Sequence, residues 1–408
     1  MAEPRIPEGF DFTDPDVLVH RVPREEFAEL RRAAPVWWNA QPHNIAGFGD
    51  DGYWAVTRHA DVMTVSRDSD TYSSWDNTAV VRFHPEMTRE LIEMQRFVML
   101  NMDPPQHTQM RAIVSRGFTP RAIAALRSAL ATRAERIVHT ALEAGTGNFV
   151  VDVACELPLQ AIAELLGIPQ DDRRQIFDWS NMMIGYDDPE YGVDPLIAAG
   201  ELLAYAMKMA EDRLECPADD IVTKLVKAEL HGEHLSADEF GFFVLLLAVA
   251  GNETTRNAIS HGMLAFLEHP EQWELFKAER PKTAVEEIIR WATPVNVFQR
   301  TARVDTVLSG QAIKAGERVA IFYGSANFDE AVFDRPEQFD ITRSPNPHLG
   351  FGGSGAHFCL GANLARLEIE LIFNAIADHM PNIHKATEPH RLRSGWLNGI
   401  KDLNVNYT

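Results

Sequence analysis

The chain has 408 residues, 45% apolar and 24% charged, the composition of an ordinary globular protein with a large core. A formal charge of −21 opposes binding to nucleic acid, whose phosphates it would repel. Its cysteines, Cys155, Cys216 and Cys359, are odd in number and far apart, which excludes a disulfide framework or C-x-x-C metal clusters and fits a reducing cytoplasm.

The start, MAEPRIPEGFDF, lacks the charged-then-apolar pattern of a secretion signal. Glu25–Arg32 is patterned as a helix and Tyr53–Thr57 as a short strand. In Asp103-Pro104-Pro105-Gln106-His107-Thr108-Gln109-Met110-Arg111, the i,i+4 spacing puts His107 and Arg111 on one helical face. Between Asp103 and Arg127 the acidic average reverses: Arg111, Arg116, Arg121 and Arg127 form a basic stretch able to steer an acidic partner, or simply one helix face. Arg121–Glu143 keeps helical spacing and stops at Gly145, and Leu157–Leu166 and Glu201–Leu214 continue the pattern.

The clearest helix start is Ser236-Ala237-Asp238-Glu239, a capping box. Nothing stops that helix before His269-Pro270, which predicts a rod of roughly 50 Å. Its apolar run Phe240–Gly251 is too short for a membrane span, which needs about 20 residues, and suits a core helix. Ala250-Gly251-Asn252-Glu253-Thr254-Thr255 follows, a set of poor helix-interior residues whose hydroxyls can divert backbone carbonyls. Either the helix emerges into solvent there, or Thr254 and Glu253 form a proton relay of a hydroxyl and an acid. Glu287 and Arg290 pair at i,i+3, the spacing of a surface ion pair. Thr306–Leu308 and Arg318–Tyr323 are strands flanking the turn-rich SGQAIKAGE. With no linker or repeat, residues 1–408 form one mainly α domain with a small β portion, its β-rich parts near 50–60 and 304–325.

Residues 347–361 contain a formal G-x-G-x-x-G at Gly350, Gly352 and Gly355. A phosphate loop needs a preceding strand and a helix opening on the last glycine. Here two prolines oppose the strand and the helix pattern ANLARLEIELIFNAIADHM begins after Cys359. A cysteine at a helix mouth meets unpaired amides and a dipole that favour its thiolate. Three roles stay open: axial ligand of haem iron, buried structural cysteine, or nucleophile with His357 as base.

The segment GFGGSGAHFCLGANLAR resembles the haem-binding signature of the cytochromes P-450, the thiolate-haem monooxygenases. One departure is local: where the family has Phe seven residues before the cysteine, this chain has Gly352, with Phe351 displaced by one. The resemblance implies the cytochrome P-450 fold, a long central helix over a haem held by a Cys loop, and haem b (heme b, iron protoporphyrin IX) with Cys359 as iron ligand. It assigns Thr254 to the dioxygen groove and Glu253 to proton delivery, from A-G-x-[DE]-T. His107, Arg111, Arg300 and His357 become propionate partners, and Glu287–Arg290 becomes the buried E-x-x-R pair behind the haem. The usual third member of that network is an Arg where this chain has Gln338, so the network is expected to be weakened or rebuilt. Electrons would come from a ferredoxin with its NAD(P)H-dependent reductase, docked on the basic stretch at the cysteine side.

RFVMLNMD, LAVAGNETTRN and RSGWLNGIKDLNVNYT are similar to the actinobacterial steroid side-chain hydroxylases, which oxidise the terminal methyl (carbon 26/27) of cholesterol or cholest-4-en-3-one in sterol catabolism. That likeness implies a pocket lined by Phe97, Met99, Val249, Val297 and Trp396, in a cytoplasmic enzyme with no membrane span. The alternatives are an ω-hydroxylase of methyl-branched fatty or isoprenoid lipids, a peroxide-driven thiolate-haem enzyme, a non-catalytic haem-thiolate gas sensor, and a cysteine hydrolase, which would be colourless.

Overall fold

The capping box at Ser236 forms. Its hydroxyl accepts the Glu239 N–H (3.1 Å) and the Glu239 carboxylate accepts the Ser236 N–H (2.9 Å), starting a helix that runs Ala237–Glu268. Pro270 then opens the next helix, Pro270–Glu279, since its fixed φ and missing N–H suit a first turn. The computed structural model describes residues 4–44, 47–84, 87–191, 194–217, 221–227, 229–230, 233–234 and 236–408.

Helix dominates. Pro120–Ala144 ends where Gly145 takes φ +77°, the left-handed value that favours glycine. Glu156–Leu166, Arg173–Ile184 and Pro195–Glu215 pack on the central helix Ala237–Glu268, which is also touched by Ala284–Ala292 and Ala362–His379. The apolar first half of the central helix is therefore enclosed, with Phe240, Phe243, Val244 and Ala248 all buried. Among the described residues no helix is long and apolar enough to cross a membrane.

The main sheet joins strands near the start of the chain to strands from residues 297–322, in the order Val36–Ala40, Gly52–Val56, Arg318–Phe322, Val297–Ala302, Tyr72–Ser73. Only the pairing of Arg318–Phe322 with Gly52–Val56 is parallel, with Ala320 opposite Ala55. Three points differ from the sequence-based expectation. The strand near 50–60 ends at Val56, because the helix His59–Arg67 begins there. The turn-rich SGQAIKAGE contains a strand, Gln311–Ile313, folded back on Thr306–Leu308 through Ser309 and Gly310 at φ +48° and +82°. Arg318–Phe322 stops one residue early, since Tyr323 starts the short helix Tyr323–Ala326.

Candidate active site

A cavity of about 230 Å³ lies between the central helix and the start of Ala362–His379, with Cys359 in its wall. The loop before the cysteine is shaped by glycine. Gly352 and Gly355 hold φ of +93° and +89°, and a Cβ on Gly355 would come within 2.6 Å of the Ser66 carbonyl oxygen. A phenylalanine at 352 would be strained at that φ, and the aromatic ring is at Phe351. That residue accepts the Cys359 N–H at its carbonyl (2.9 Å), and its ring lies under the Arg366 guanidinium, 4.5 Å away. Arg366 is itself held by Glu286 (2.6 Å), which also pairs with His348 (2.8 Å). Burial opposes ionisation of Glu286, yet bonds from His348 and Arg366 carry its pKa down to about 2.

The helix-mouth argument for Cys359 holds in direction only. Burial raises the thiol pKa and outweighs what lowers it: amides of Gly361 and Ala362, and the charges of Arg111 and Arg366. A thiolate here therefore needs a cation. Among the described residues no three His, Cys, Asp or Glu side chains gather as a metal cluster, and Cys359 is the one thiol in the cavity wall.

Beside it the structure brings together His107, Arg111, Arg300 and His357, all in the cavity wall. The two imidazoles lie 4.2 Å apart between ring centroids, and His107 Nδ1, though buried, has no hydrogen-bond partner among the described residues. Burial first, then Arg111 and Arg300, pull the His107 pKa down to about 4; burial, Arg300, His107 and Arg111 hold His357 well below its usual range. The carboxylate nearby, Asp103, is already committed to Ser73 (2.6 Å), the Ser74 N–H (2.8 Å) and Arg303 (2.7 Å). Two guanidiniums and two imidazoles thus face the cavity, and among the described residues no carboxylate forms an ion pair with them. The arrangement fits a bound group bearing carboxylates, such as the haem propionates, next to a lone sulfur.

On the opposite wall, Phe243, Leu247, Ala250, Thr254 and Ala258 follow at three- and four-residue steps, one face of the central helix. Thr254 bends the ladder there, its hydroxyl donating to the Ala250 carbonyl (2.7 Å). Glu253 points elsewhere. It is 1% exposed, is absent from the cavity wall, and accepts from Arg256 and from Asn257 Nδ2 (2.9 Å), while Arg256 reaches Asn181 (2.8 Å). The helix does not emerge into solvent there: Glu253 is sealed, with Oε2 unpartnered among the described residues.

Glu287 and Arg290 are both wholly buried, so the surface-pair alternative is excluded. Arg290 donates twice to Glu287 (both 2.8 Å) and also to the carbonyls of Asn327, Pro336 and Gln338. The network is rebuilt rather than weakened. Arg343 supplies the third member, donating to Glu287 (3.1 Å) and to the Gln338 carbonyl (2.9 Å). Gln338 thus contributes backbone, which the side-chain pattern could not reveal.

Of the five pocket residues implied by resemblance, the cavity takes Met99. Phe97 is half exposed and stacks on Phe242. Val297 is enclosed in a core cluster with Phe12, Phe27 and Phe322, and Val249 packs against the same cluster. Trp396 stands one layer back, stacked on the lining residue Phe298 (6.0 Å) and donating to the Tyr186 hydroxyl (3.0 Å). The basic stretch is thinner than its sequence: Arg111 faces the cavity and Arg127 is neutralised by Glu370 (2.8 Å), leaving Arg116 and Arg121 exposed.

Among the lining residues that the sequence reading missed, Glu368 is the carboxylic acid. It sits fully buried on Ala362–His379 with its pKa pushed up to about 8 by burial. The signal was an acid within an apolar helical stripe, Leu364-Leu367-Glu368-Ile369-Ile372.

A sequence model described as Cytochrome P450 matches residues 282–379. A Rhodococcus jostii protein described as Steroid C26-monooxygenase is 66% identical over 407 residues, covering 100% of this chain and 86% of the relative. A Mycobacterium tuberculosis protein described as Methyl-branched lipid omega-hydroxylase is 43% identical, covering 94% and 90%. The solved structure of a Mycobacterium marinum cytochrome P450 in complex with pseudoionone superposes with a TM-score of 0.91 at 38% identity, covering all of both chains.

Proposed function

The chain belongs to the cytochrome P450 family, and from that premise we propose that it is a haem-thiolate monooxygenase that oxidises the terminal methyl, carbon 26/27, of a cholesterol or cholest-4-en-3-one side chain. The observation that carries the haem reading is one cysteine sulfur sharing a cavity with His107, Arg111, Arg300 and His357, none of which has an ion pair with a carboxylate among the described residues. The substrate rests on the relatives described as steroid C26-monooxygenases.

Cys359 would hold the iron, and the four basic groups would take the propionates by charge-assisted hydrogen bonds. When bound, the haem supplies an iron at which dioxygen is reduced and an unactivated carbon–hydrogen bond is oxidised. The chain's own part is to dry the site, place the substrate and move protons. Phe243, Leu247, Val295 and Phe298 exclude water and offer few polar anchors, so a sterol is held by shape, tail inward. Thr254 keeps a hydroxyl at that wall, and Glu253 is the acid one residue away whose proton would reach it after a rearrangement of the Arg256 pair. Glu287 and Arg290, with Arg343, fix the wall behind the cysteine loop.

Electrons would arrive from a ferredoxin served by an NAD(P)H-dependent reductase, with Arg116 and Arg121 as the outward charges on the cysteine side. We place the enzyme in the cytoplasm, and read residues 1–408 as one domain, which is supported by the sheet that pairs strands from residues 36–73 with strands from residues 297–322.

Two measurements test this. Purified protein, reduced under carbon monoxide, should show the far-red Soret band of thiolate ligation, and Cys359→Ala should abolish it. Incubated with cholest-4-en-3-one and a ferredoxin system, it should give the terminal alcohol, aldehyde or acid. Conversion of methyl-branched lipids with no sterol product would move the substrate to the second reading, which the M. tuberculosis relative favours.

A further inference from the structure

In the side chain of a sterol the terminal methyl adjoins a tertiary carbon whose C–H bond is weaker, so bond strength alone favours oxidation one bond inward. The wall of Phe243, Leu247, Val295 and Phe298 offers few polar anchors, so its shape must choose the carbon. The two carbons lie about 1.5 Å apart. A misplacement of about 1 Å changes a rate about 100-fold, so whatever fixes that wall selects the product.

Pro294, Val295 and Phe298 line one side of the cavity, and residues 394–398 back them. The Trp396 carbonyl accepts the Asn296 N–H (2.9 Å), the Pro294 carbonyl accepts the Asn398 N–H (2.9 Å), and Val295 forms a β-bridge with Leu397. The Trp396 indole stacks on the Phe298 ring, 6.0 Å between centroids and 27° between planes. A third row holds the second. Just after the helix Arg173–Ile184, three consecutive side chains grip residues 393–396. The indole N–H of Trp396 donates to the Tyr186 hydroxyl (3.0 Å), which donates to the Arg82 carbonyl (2.6 Å). Asp187 accepts the Gly395 N–H (2.9 Å); Asp188 accepts the Arg393 N–H (3.1 Å) and pairs with Lys401 (2.9 Å). An indole has a single polar group, so the Tyr186 hydroxyl sets how the Trp396 ring is turned against Phe298.

We propose that Tyr186, outside the cavity wall, is a positioning residue for specificity. By holding the Trp396 indole it fixes Phe298, and so confines reaction to the terminal methyl rather than the adjoining tertiary carbon. This deepens the sterol-oxidation reading above and rests on it.

The test uses the holoenzyme and the variants Tyr186→Phe, Trp396→Phe, their double variant and Lys401→Met. In NMR of the reduced, carbon-monoxide-bound form, the Trp396 indole N–H is identified by its absence from Trp396→Phe. It should exchange with solvent at least about tenfold faster in Tyr186→Phe. With cholest-4-en-3-one, the ratio of tertiary alcohol to terminal products should rise about tenfold in Tyr186→Phe. The double variant should match Trp396→Phe, because Tyr186 acts through the indole. Lys401→Met loosens the same segment by removing pairs with Asp188 and Glu190 (2.6 Å). It should lower the melting temperature and leave the product ratio where it was. Unaltered indole exchange or an unaltered ratio in Tyr186→Phe, or an equal rise in Lys401→Met, overturns the proposal. A wild type that oxidises no sterol would instead refute the substrate reading, while indole exchange, which needs no substrate, still decides whether Tyr186 holds Trp396.

Discussion

Glu287 and Glu368 are the same side chain at the same depth, 0% and 1% exposed, on helices that touch. Around Glu287 the chain has gathered Arg290, Arg343, Asn346 Nδ2 (3.0 Å) and the Asp340 N–H (3.0 Å). Around Glu368 it has placed alkyl groups and one hydroxyl. A buried carboxylate needs compensation from cations and donors; a buried carboxyl without them stays neutral. The first arrangement locks architecture, and the second leaves a proton beside a reactive cavity. Glu253 falls between them, with one oxygen saturated by Arg256 and Asn257 and the other bare.

The contrast is broken most severely at Glu287. Glu287→Ala leaves Arg290 and Arg343 buried and unpaired, at a cost of roughly 3–5 kcal/mol, read as a lower melting temperature and loss of haem content. Arg343→Met should cost about 2 kcal/mol by removing charged hydrogen bonds from Glu287 and from the Gln338 carbonyl. Gln338→Arg should not rescue that variant, because residue 338 acts through its backbone; full recovery in denaturant titrations would show that Arg343 is dispensable.

At Glu368 the sign reverses. Its folded pKa, about 8, exceeds the ordinary 4.5, so the folded state binds the extra proton between those values. Its contribution is fully present below pH 4.5 and lost as pH rises through 8. Glu368→Gln should therefore stabilise the protein above pH 8, by on the order of 2 kcal/mol, and flatten its stability profile. Unchanged pH dependence of unfolding would mean that Glu368 is ionised in the native state. The smallest effect belongs to Thr254→Ala: an intact carbon-monoxide spectrum, with a loss of about tenfold or less in product per electron and the difference released as peroxide. Unaltered coupling would remove Thr254 from the proton path.

Much of the fold was legible because its signals are local. The Ser236 capping box, the stop at Gly145 and the cysteine just before a helix each depend on residues within a few positions. The strand hidden in SGQAIKAGE was not legible, since only its pairing with Thr306–Leu308 makes it one. Most lining residues were missed for a related reason: an apolar face shows which side of a helix is covered, not whether a core or a cavity covers it. Val297 is solid core and Phe243 is cavity wall, though both are buried apolar side chains.

By itself the sequence determined the helical frame, the lone cysteine at a helix mouth and the i,i+3 pairing of Glu287 with Arg290, because each is a relation between residues close along the chain. The tertiary structure alone decided that Arg343, 56 residues away, completes that pair, that Glu253 turns to Arg256, and that Glu368 faces the cavity. Those outcomes depend on which elements meet in space. The dielectric and the partners a side chain finds there fix its charge, and no short spacing encodes either.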